Sequence, residues 1–190
     1  MEILKERILK EGKVFHGNVI KVDSFLNHQI DPVLIKEIGK EFCRRFGDRG
    51  VSKVLTIEAS GIPVAVMTGL ELNVPVVFAK KQKSANICEN VFSSTIKSFT
   101  KGTASTVIVS KEYLSNKDRV LIVDDFLAEG QAVLGLADII KQSGASLVGA
   151  GIVIEKGFQE GCKRLTSMGI HVESLAVIKS IDEGKISFDI

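Results

Sequence analysis

The chain has 190 residues, of which 45% are hydrophobic and 25% are charged, so one well-formed core is expected rather than two large domains. Its formal net charge is +2, from 25 basic and 23 acidic residues, which gives no reason to expect a nucleic-acid or membrane partner. Three cysteines without a C-x-x-C pair indicate neither a disulfide framework nor a zinc site. We expect a cytoplasmic protein, because no apolar run approaches the ~20 residues of a transmembrane helix.

Two helical patterns come first along the chain. Residues 2–11 place their apolar side chains on one helical face. Further on, Asp31 and Pro32 form an N-cap and first-turn pair, and apolar residues spaced by three or four follow them. This pattern predicts a helix over 32–46, with Gly47 as its C-terminal stop.

From residue 53 onwards, short apolar runs alternate with helical patterns. The alternation is typical of βαβ units and predicts an α/β fold, in which helices cover both faces of a mostly parallel central sheet. Such sheets bind ligands at the carboxyl ends of their strands. The predicted strands cover residues 53–57, 74–79, 119–123, 147–154 and 171–178, and the predicted helices cover 63–72, 130–142 and 158–168.

The segment 80–106 interrupts this alternation. It is polar, rich in Ser, Thr and Lys, and only weakly periodic, so we expect a long loop. Loops of more than ~15 residues in a compact domain are commonly functional where they are real. Lys80, Lys81 and Lys83 open the segment, and a basic run of this kind either neutralises a bound anion or forms a solvated face.

The stretch VLIVDDFLAEGQA, residues 120–132, carries the strongest chemical signal. Asp124 and Asp125 follow the predicted strand, and a loop from Ala128 to Ala132 leads into the next helix. Such a loop can direct backbone N–H groups and the helix dipole at a phosphate, while the aspartates accept hydrogen bonds from sugar hydroxyls or hold metal-bound water. Paired acids after a strand also occur as solvated turn residues or helix caps, so the loop alone leaves both interpretations open.

This stretch resembles the thirteen-residue signature of type I phosphoribosyltransferases, in which two acids and a five-residue loop bind the ribose 5-phosphate of phosphoribosyl pyrophosphate (PRPP). The resemblance implies the type I phosphoribosyltransferase fold in a single domain over residues 1–190. It also implies a small N-terminal hood, formed mainly by about 12–32 with the C-terminal segment, and a flexible lid loop over about 81–105. Further segments similar to family members that act on xanthine are 21–32, 56–70, 76–84 and 151–159.

The resemblance also assigns roles near the sugar and the diphosphate. Asp124 and Asp125 would face the ribose hydroxyls and the Mg²⁺ that accompanies the diphosphate, with no metal ion bound directly by the protein. Lys81 would be the third catalytic residue, because its ammonium can neutralise charge on the leaving diphosphate. The residues expected to bind PRPP are Ala128, Glu129, Gly130, Gln131 and Ala132 in one loop and Ala59, Ser60 and Gly61 in another.

Three residues are candidates for the purine site. Lys156 follows the apolar run GIVIE and can donate to a 6-oxo oxygen, whereas adenine presents an amino group there and would leave the ammonium unpaired. By resemblance, Ile20 packs on the purine ring and Asn27 donates its amide N–H to a 2-oxo group. The plain structural alternatives are an exposed lysine at a helix start and an asparagine that forms a turn.

Two positions depart from the commoner signature. Its loop ends in Thr-Gly-Gly-Thr, whereas this loop contains Glu129, which would repel a phosphate unless its side chain points to solvent. In the hypoxanthine–guanine enzymes, an aspartate thought to handle a purine proton stands at the position of Ala128. Either another group handles that proton here, or the base arrives ionised, which suits xanthine.

The resemblance thus implies a magnesium-dependent homodimer that transfers 5-phosphoribosyl from PRPP to N9 of xanthine in purine salvage. One alternative is the same chemistry on hypoxanthine or guanine. The other is a regulator that binds PRPP without catalysis. About 20 residues precede the similar segment 21–32, too few for a winged-helix DNA-binding domain, which disfavours the regulator.

Overall fold

The computed structural model describes residues 1–16, 18–82, 90–97, 104–182 and 184–188. Its N-terminal part contains α1 (Glu2–Glu11), β1 (Lys13–Phe15), β2 (Val19–Lys21), a π-helical turn (Asp23–Asn27), α2 (Pro32–Phe46) and a 3₁₀ turn (Gly47–Arg49). The elements that follow are β3 (Lys53–Ile57), α3 (Gly61–Leu72), β4 (Val76–Gln82), β5 (Val91–Lys97), β6 (Ala104–Ser110), a 3₁₀ turn (Lys111–Tyr113), β7 (Arg119–Leu127), α4 (Gln131–Ser143), β8 (Ser146–Lys156), α5 (Gly161–Ser167), β9 (Val172–Asp182) and β10 (Lys185–Phe188).

The described strands form a large mixed sheet and a small hairpin. The large sheet has eight strands in the order β10-β9-β8-β7-β3-β4-β6-β5, counted within the described residues. The central pairs from β9 to β4 are parallel, whereas β10, β6 and β5 are joined antiparallel at the two edges. The prediction of a mostly parallel central sheet is therefore confirmed.

Alternating side chains of β7 enter two hydrophobic clusters. Leu121 and Val123 pack with residues of α1, α2 and α3, whereas Val120 and Ile122 pack with residues of α4 and α5. All four side chains are fully buried, so helices cover both faces of the sheet as expected for a parallel sheet. A slip of one residue would move every side chain of β7 to the opposite face, and this fixes the register that positions its C-terminal residues.

The predicted helices 2–11 and 32–46 are confirmed. The Asp31 side chain accepts hydrogen bonds from the backbone N–H groups of Val33 and Leu34 at 3.0 and 3.2 Å, as an N-cap should. The α-helix stops at Gly47 as predicted, because Gly47 is its C-cap residue, although its φ of −63° is right-handed and the chain continues into the 3₁₀ turn. The left-handed backbone conformation comes at Gly50, directly after this 3₁₀ turn, with a φ of +64°.

Two boundaries near the expected site are corrected. β7 does not end at residue 123, because its backbone continues to pair with β8 as far as Leu127, which lies opposite Glu155. Asp124 and Asp125 therefore lie within the strand rather than after it. Helix α3 begins at Gly61, two residues before the predicted start at 63.

The long loop expected over 80–106 is wrong in its described part. β4 continues to Gln82, and β5 and β6 form an antiparallel ribbon that pairs with it. The ribbon is polar on average, but β6 buries Val107 and Val109, so these half-exposed strands give a weak sequence signal. Residues 83–89 and 98–103 of the expected lid lie outside the described residues, and closure of the lid stays a prediction.

The segment 12–32 is attached to the main core. Ile20, Val22, Phe25 and Leu26 are buried in the same cluster as α1 and α2, and residues of the C-terminal strand β10 pack against that cluster. This packing joins the N-terminal segment to the C-terminal one, as the hood interpretation requires. In the part of the chain that the structure describes, no helix combines the length and apolarity needed to cross a bilayer.

Candidate active site

A cavity of about 430 Å³ lies at the carboxyl ends of β3 and β7 and the N-termini of α3 and α4. This is the sheet edge at which α/β proteins bind ligands. The cavity is lined by Ile57, Glu58, Ser60, Gly61, Lys81, Ile96, Ser105, Asp124, Asp125, Phe126 and Ala132. The structure thus brings residues from the segments 56–70, 80–106 and 120–132 to one cavity.

Asp124 and Asp125 form an acidic pair in this cavity. Asp124 is 4% exposed, and burial raises the pKa of its carboxyl well above the ordinary value, with the charge of Asp125 acting in the same direction. The backbone N–H of Asp125 donates to Asp124 Oδ1 at 3.1 Å, which opposes the rise only in part. The buried carboxyl therefore favours a proton, a hydroxyl donor or a cation beside it.

Strand alternation separates the lysines at the end of β4. Lys81 lines the cavity with the aspartates, and its backbone N–H donates to Glu58 Oε1 at 2.6 Å. The Lys80 ammonium instead lies 6.0 Å from the ring centroid of Phe78 and borders a different cavity. Lys83 lies outside the described residues. Lys81 is thus placed to act on an anion in the acidic cavity, and Lys80 is not.

The turn before α3 presents backbone groups to the same cavity. Ser60 and Gly61 line it, whereas Ala59 does not. The peptide bond between Glu58 and Ala59 is cis, and Ser60 makes no side-chain capping hydrogen bond. The Ser60 side chain therefore does not occupy the first backbone N–H groups of α3. Free N–H groups at a helix N-terminus can bind an anion.

Gly61 is required by close packing rather than by its dihedral angles. A Cβ atom at this position would lie 2.1 Å from Thr56 Oγ1 and 3.2 Å from Asp124 Oδ1. The Thr56 hydroxyl is fully buried and has no hydrogen-bond partner among the described residues. The backbone of α3 can therefore approach the buried aspartate only because residue 61 has no side chain.

The loop after β7 is short and tightly packed. Gly130 adopts a φ of +78° immediately before α4, and Gln131 and Ala132 are the first residues of that helix. Of the five residues predicted to bind phosphate, all of them described, Ala132 lines the cavity. The geometry is a strand, a turn and a helix N-terminus, as predicted for a phosphate site.

The structure gives the Glu129 carboxylate a partner on α5. The carboxylate does not simply point to solvent, because Oε2 lies 3.5 Å from Nη2 of Arg164 on α5. Arg164 also donates from Nη1 to the backbone oxygen of Glu129 at 2.8 Å. Sequence reasoning missed this arginine, since its partner precedes it by 35 positions and no motif joins them.

The three residues predicted to bind the base lie apart from the acidic cavity. Lys156, at the end of β8, donates from Nζ to the backbone oxygen of Asn18 at 3.2 Å, and burial lowers the pKa of its ammonium. Asn27 Oδ1 is buried and has no hydrogen-bond partner among the described residues. Ile20 is 7% exposed and belongs to the main core. The structure thus joins Lys156 to the N-terminal segment that carries Ile20, and the contacts with a base stay predictions.

Other cavity residues were not predicted. Glu58 directly follows β3 and begins the turn before α3, and its carboxylate accepts a hydrogen bond from the Lys81 backbone N–H. An acid after a strand could have been noticed. Ile96 and Ser105 come from β5 and β6, which the sequence pattern represented as loop. Phe126 lies inside the signature, but the sequence does not indicate whether its side chain faces the core or the cavity.

A mostly parallel α/β sheet with a buried acid, a second acid beside it, a lysine and two helix N-termini around one cavity is typical of α/β proteins that bind a phosphorylated ligand. Comparison with known proteins gives the family. The chain belongs to the phosphoribosyl transferase domain family, whose sequence profile matches residues 22–171.

Close relatives cover almost the whole chain. The chain is 54% identical over 188 residues to xanthine phosphoribosyltransferase of Oceanobacillus iheyensis, covering 99% of this chain and 97% of the relative. It is also 54% identical over 188 residues to xanthine phosphoribosyltransferase of Bacillus mycoides, covering 99% of this chain and 95% of the relative.

Solved structures support the fold. The adenine phosphoribosyltransferase of Rhodothermus marinus matches with a TM-score of 0.76 and 18% identity, covering 94% of this chain and 100% of that one. The adenine phosphoribosyltransferase of Trypanosoma brucei, in complex with AMP, pyrophosphate and ribose-5-phosphate, matches with a TM-score of 0.76 and 19% identity, covering 92% of this chain and 78% of that one. At this identity the likeness establishes the type I phosphoribosyltransferase fold and not the base.

Proposed function

We propose that the protein transfers the 5-phosphoribosyl group of PRPP to N9 of xanthine, forming xanthosine 5′-monophosphate and pyrophosphate in purine salvage. The observation that carries this proposal is the 54% identity, over 99% of the chain, to relatives named xanthine phosphoribosyltransferase. The cavity supports it, because it combines groups suited to a ribose, a diphosphate and a phosphate.

In the proposed reaction, the bond between the ribose C1′ and the diphosphate oxygen breaks and a bond between C1′ and N9 forms. The base gives up one ring proton, either to another group at the site or to solvent before it binds. Asp124 and Asp125 bind the ribose hydroxyls, which orients C1′ between the base and the leaving group. Lys81 and the backbone amides of Ala59, Ser60 and Gly61 stabilise the charge that develops on the diphosphate. Catalysis depends on positioning and charge stabilisation, without a covalent intermediate on the protein.

The other end of PRPP would lie in the second loop. Backbone N–H groups from Ala128 to Ala132 and the positive end of α4 bind the 5-phosphate. Gln131 adds a side-chain amide donor that replaces part of the hydroxyl contacts of the commoner signature. This arrangement leaves the ribose between two helix N-termini.

Magnesium is proposed as the cofactor, carried by the diphosphate. Among the described residues, no group of three or more His, Cys, Asp or Glu side chains is arranged to hold a metal ion. The Asp124–Asp125 pair nevertheless fits a cation shared with other ligands, because the buried Asp124 carboxyl favours positive charge beside it. When bound, Mg²⁺ neutralises part of the diphosphate charge.

Selection of the base is proposed for the hood. Lys156 donates to the 6-oxo group, Asn27 donates its amide N–H to the 2-oxo group, and Ile20 packs on the ring. One observation supports this placement, namely the contact of the Lys156 ammonium with the backbone oxygen of Asn18 in the hood. Transfer to hypoxanthine or guanine is the second candidate, because Lys156 would serve any 6-oxopurine.

A cytoplasmic homodimer is also proposed. Leu70, Phe78 and Tyr113 are large hydrophobic side chains with 66%, 40% and 58% exposure, which suits a surface covered in an assembly. Light scattering on the purified protein measures the mass of the particle in solution, and a monomer at assay concentration would refute the dimer.

The proposed reaction is tested by measuring pyrophosphate release with PRPP, Mg²⁺ and each of xanthine, hypoxanthine, guanine and adenine. We expect the highest kcat/KM for xanthine, measurable transfer to the other 6-oxopurines and essentially none to adenine. A higher kcat/KM for hypoxanthine or guanine would select the second candidate. Absence of pyrophosphate release with all four bases would refute the transferase itself.

A further inference from the structure

Glu129 places a negative charge in the loop that is proposed to bind a phosphate. A carboxylate and a phosphate in one short loop repel each other. At the effective dielectric near a protein surface, this repulsion weakens binding on the order of tenfold. The structure must therefore either keep the carboxylate away from the phosphate or neutralise it. Arg164 neutralises the carboxylate through its contact with Glu129.

The guanidinium of Arg164 makes two different contacts with the same residue. Nη1 donates to the backbone oxygen of Glu129 at 2.8 Å, and Nη2 lies 3.5 Å from the carboxylate Oε2. The first contact fixes the backbone of the loop, and the second neutralises its acidic side chain. Both side chains are partly buried, with 36% and 30% exposure, so this pair is less screened than a fully exposed one.

Helix α5 is packed against the loop at a second point. The backbone N–H of Gly161 donates to the backbone oxygen of Ala128 at 3.1 Å. A Cβ atom on Gly161 would lie 2.1 Å from that oxygen and 2.9 Å from the backbone nitrogen of Gly130. Because α5 contacts the loop this closely, the position of Arg164 relative to Glu129 is fixed by the fold rather than by a chance surface encounter.

We propose that Arg164 is a positioning residue for the phosphate site, which acts through Glu129. It holds the loop backbone in the conformation that presents its N–H groups, and it neutralises the carboxylate that would otherwise oppose the phosphate. This inference rests on the proposed function, since it takes the 5-phosphate of PRPP as the occupant of the loop. It also explains how a loop that contains an acid can bind an anion.

The test is a charge cycle in the full-length protein. Arg164→Ala, Glu129→Gln and the double variant are compared with the wild type in steady-state assays with PRPP, Mg²⁺ and xanthine. Lys163→Ala is the matched control, because Lys163 is a cation on the same helix whose ammonium pairs with Glu160 at 3.1 Å and not with the loop. Thermal unfolding of each variant reports its folding separately.

Arg164→Ala is expected to raise the KM for PRPP by about tenfold, while kcat changes by less than about threefold and the KM for xanthine stays nearly constant. Adding Glu129→Gln to Arg164→Ala should recover a large part of that increase, because it removes the uncompensated charge. The part not recovered measures the lost contact with the Glu129 backbone oxygen. Glu129→Gln alone should lower the KM, and Lys163→Ala should leave it within about twofold of the wild type.

Two results would overturn the inference in an active wild-type enzyme. One is a KM for PRPP that Arg164→Ala leaves unchanged, and the other is a double variant that binds PRPP no better than Arg164→Ala. If Arg164→Ala does not fold, Arg164→Gln carries the same comparison, since glutamine can still donate to the backbone oxygen and loses only the charge. An inactive wild type with every purine would instead refute the proposed function, so the two failures are distinguishable.

Discussion

The backbone N–H of Asp125 donates to Oδ1 of Asp124 at 3.1 Å, so the residue that adds a second negative charge also provides a local hydrogen bond to the first. This bond does not offset the combined effect of burial and the Asp125 charge, which raise the pKa of Asp124 well above the ordinary value. The pair is consequently unfavourable for folding when both carboxylates are ionised. It is suited to ligand binding, because hydroxyl groups and a cation relieve the same unfavourable interaction.

Asp124→Asn is therefore expected to stabilise the ligand-free protein at neutral pH. A carboxyl whose pKa is raised on folding contributes stability that is present below its unfolded pKa of about 3.9 and is lost as pH rises through the folded pKa. The gain in melting temperature over the wild type should grow across that interval and stay constant above it. A variant less stable than the wild type at pH 7 would contradict the pKa shift assigned to Asp124.

The same substitution should impair function. Asp124→Asn combined with Asp125→Asn is expected to lower turnover by orders of magnitude and to weaken Mg²⁺-dependent binding of PRPP, while the protein stays folded. Calorimetric titration with PRPP, with and without Mg²⁺, measures the binding. Unchanged binding in the double variant would remove this pair from the proposed site.

The close approach of α3 to the acid pair gives a further prediction. Gly61→Ala should destabilise the protein by about 1–3 kcal/mol, because the added methyl group overlaps with the Thr56 hydroxyl. Thr56→Ala removes that hydroxyl, which makes no hydrogen bond to a described residue, so the double variant should be more stable than the sum of the single effects predicts. Denaturant unfolding measures all four proteins. Strict additivity would show that the clash is relieved elsewhere.

Sequence reasoning found the central strands and helices because their signals are local. Asp31 before Pro32 is an N-cap at any tertiary position, and the apolar runs of the parallel strands reflect burial on both faces. It also found Asp124, Asp125 and Lys81, since a family signature and a strand end carry that information. The structure confirms that these three residues share one cavity.

What could not be predicted depends on tertiary contacts. β5 and β6 are half-exposed, and the pairing with β4 that makes them strands is not visible in their composition. The Arg164–Glu129 contact joins residues 35 positions apart, and nothing in either local sequence indicates it. The extension of β7 through Asp125 follows from pairing with β8 rather than from apolar residues.

The ribbon formed by β5 and β6 gives another prediction, because Ile96 and Ser105 line the proposed substrate cavity. Amide hydrogen exchange in Val91–Lys97 and Ala104–Ser110 should slow when an unreactive PRPP analogue and a purine bind together. β9 has no residue in this cavity and provides the internal control. Equal exchange rates with and without ligands would contradict a closing lid over 81–105.

A substitution on α4 tests whether the position of this ribbon matters for PRPP binding. Gly135 on α4 packs against it, and a Cβ atom there would lie 2.6 Å from Ile96 Cγ1. Gly135→Ala should displace β5 and raise the KM for PRPP. Combining it with Ile96→Val should restore part of the affinity, because valine lacks the Cδ1 methyl group that would lie 2.9 Å from the added Cβ. A KM that Gly135→Ala does not change would show that the position of β5 is irrelevant to binding.

The last prediction separates xanthine from hypoxanthine and depends on Asn27 and Lys156. Xanthine has a 2-oxo group that hypoxanthine lacks, and the two bases share the 6-oxo group. If Asn27 supplies one neutral hydrogen bond to the 2-oxo oxygen, Asn27→Ala should cost roughly 0.5–1.5 kcal/mol in kcat/KM for xanthine and less for hypoxanthine. Lys156→Ala should impair both bases together, because it removes a shared charged donor and the contact with the Asn18 backbone oxygen. Steady-state kinetics of both variants with both bases give a two-by-two pattern that a general folding defect cannot produce. If Asn27→Ala leaves the preference for xanthine unchanged in a folded protein that still binds PRPP, selectivity must come from another part of the hood, and the backbone near Ile20 becomes the next position to test.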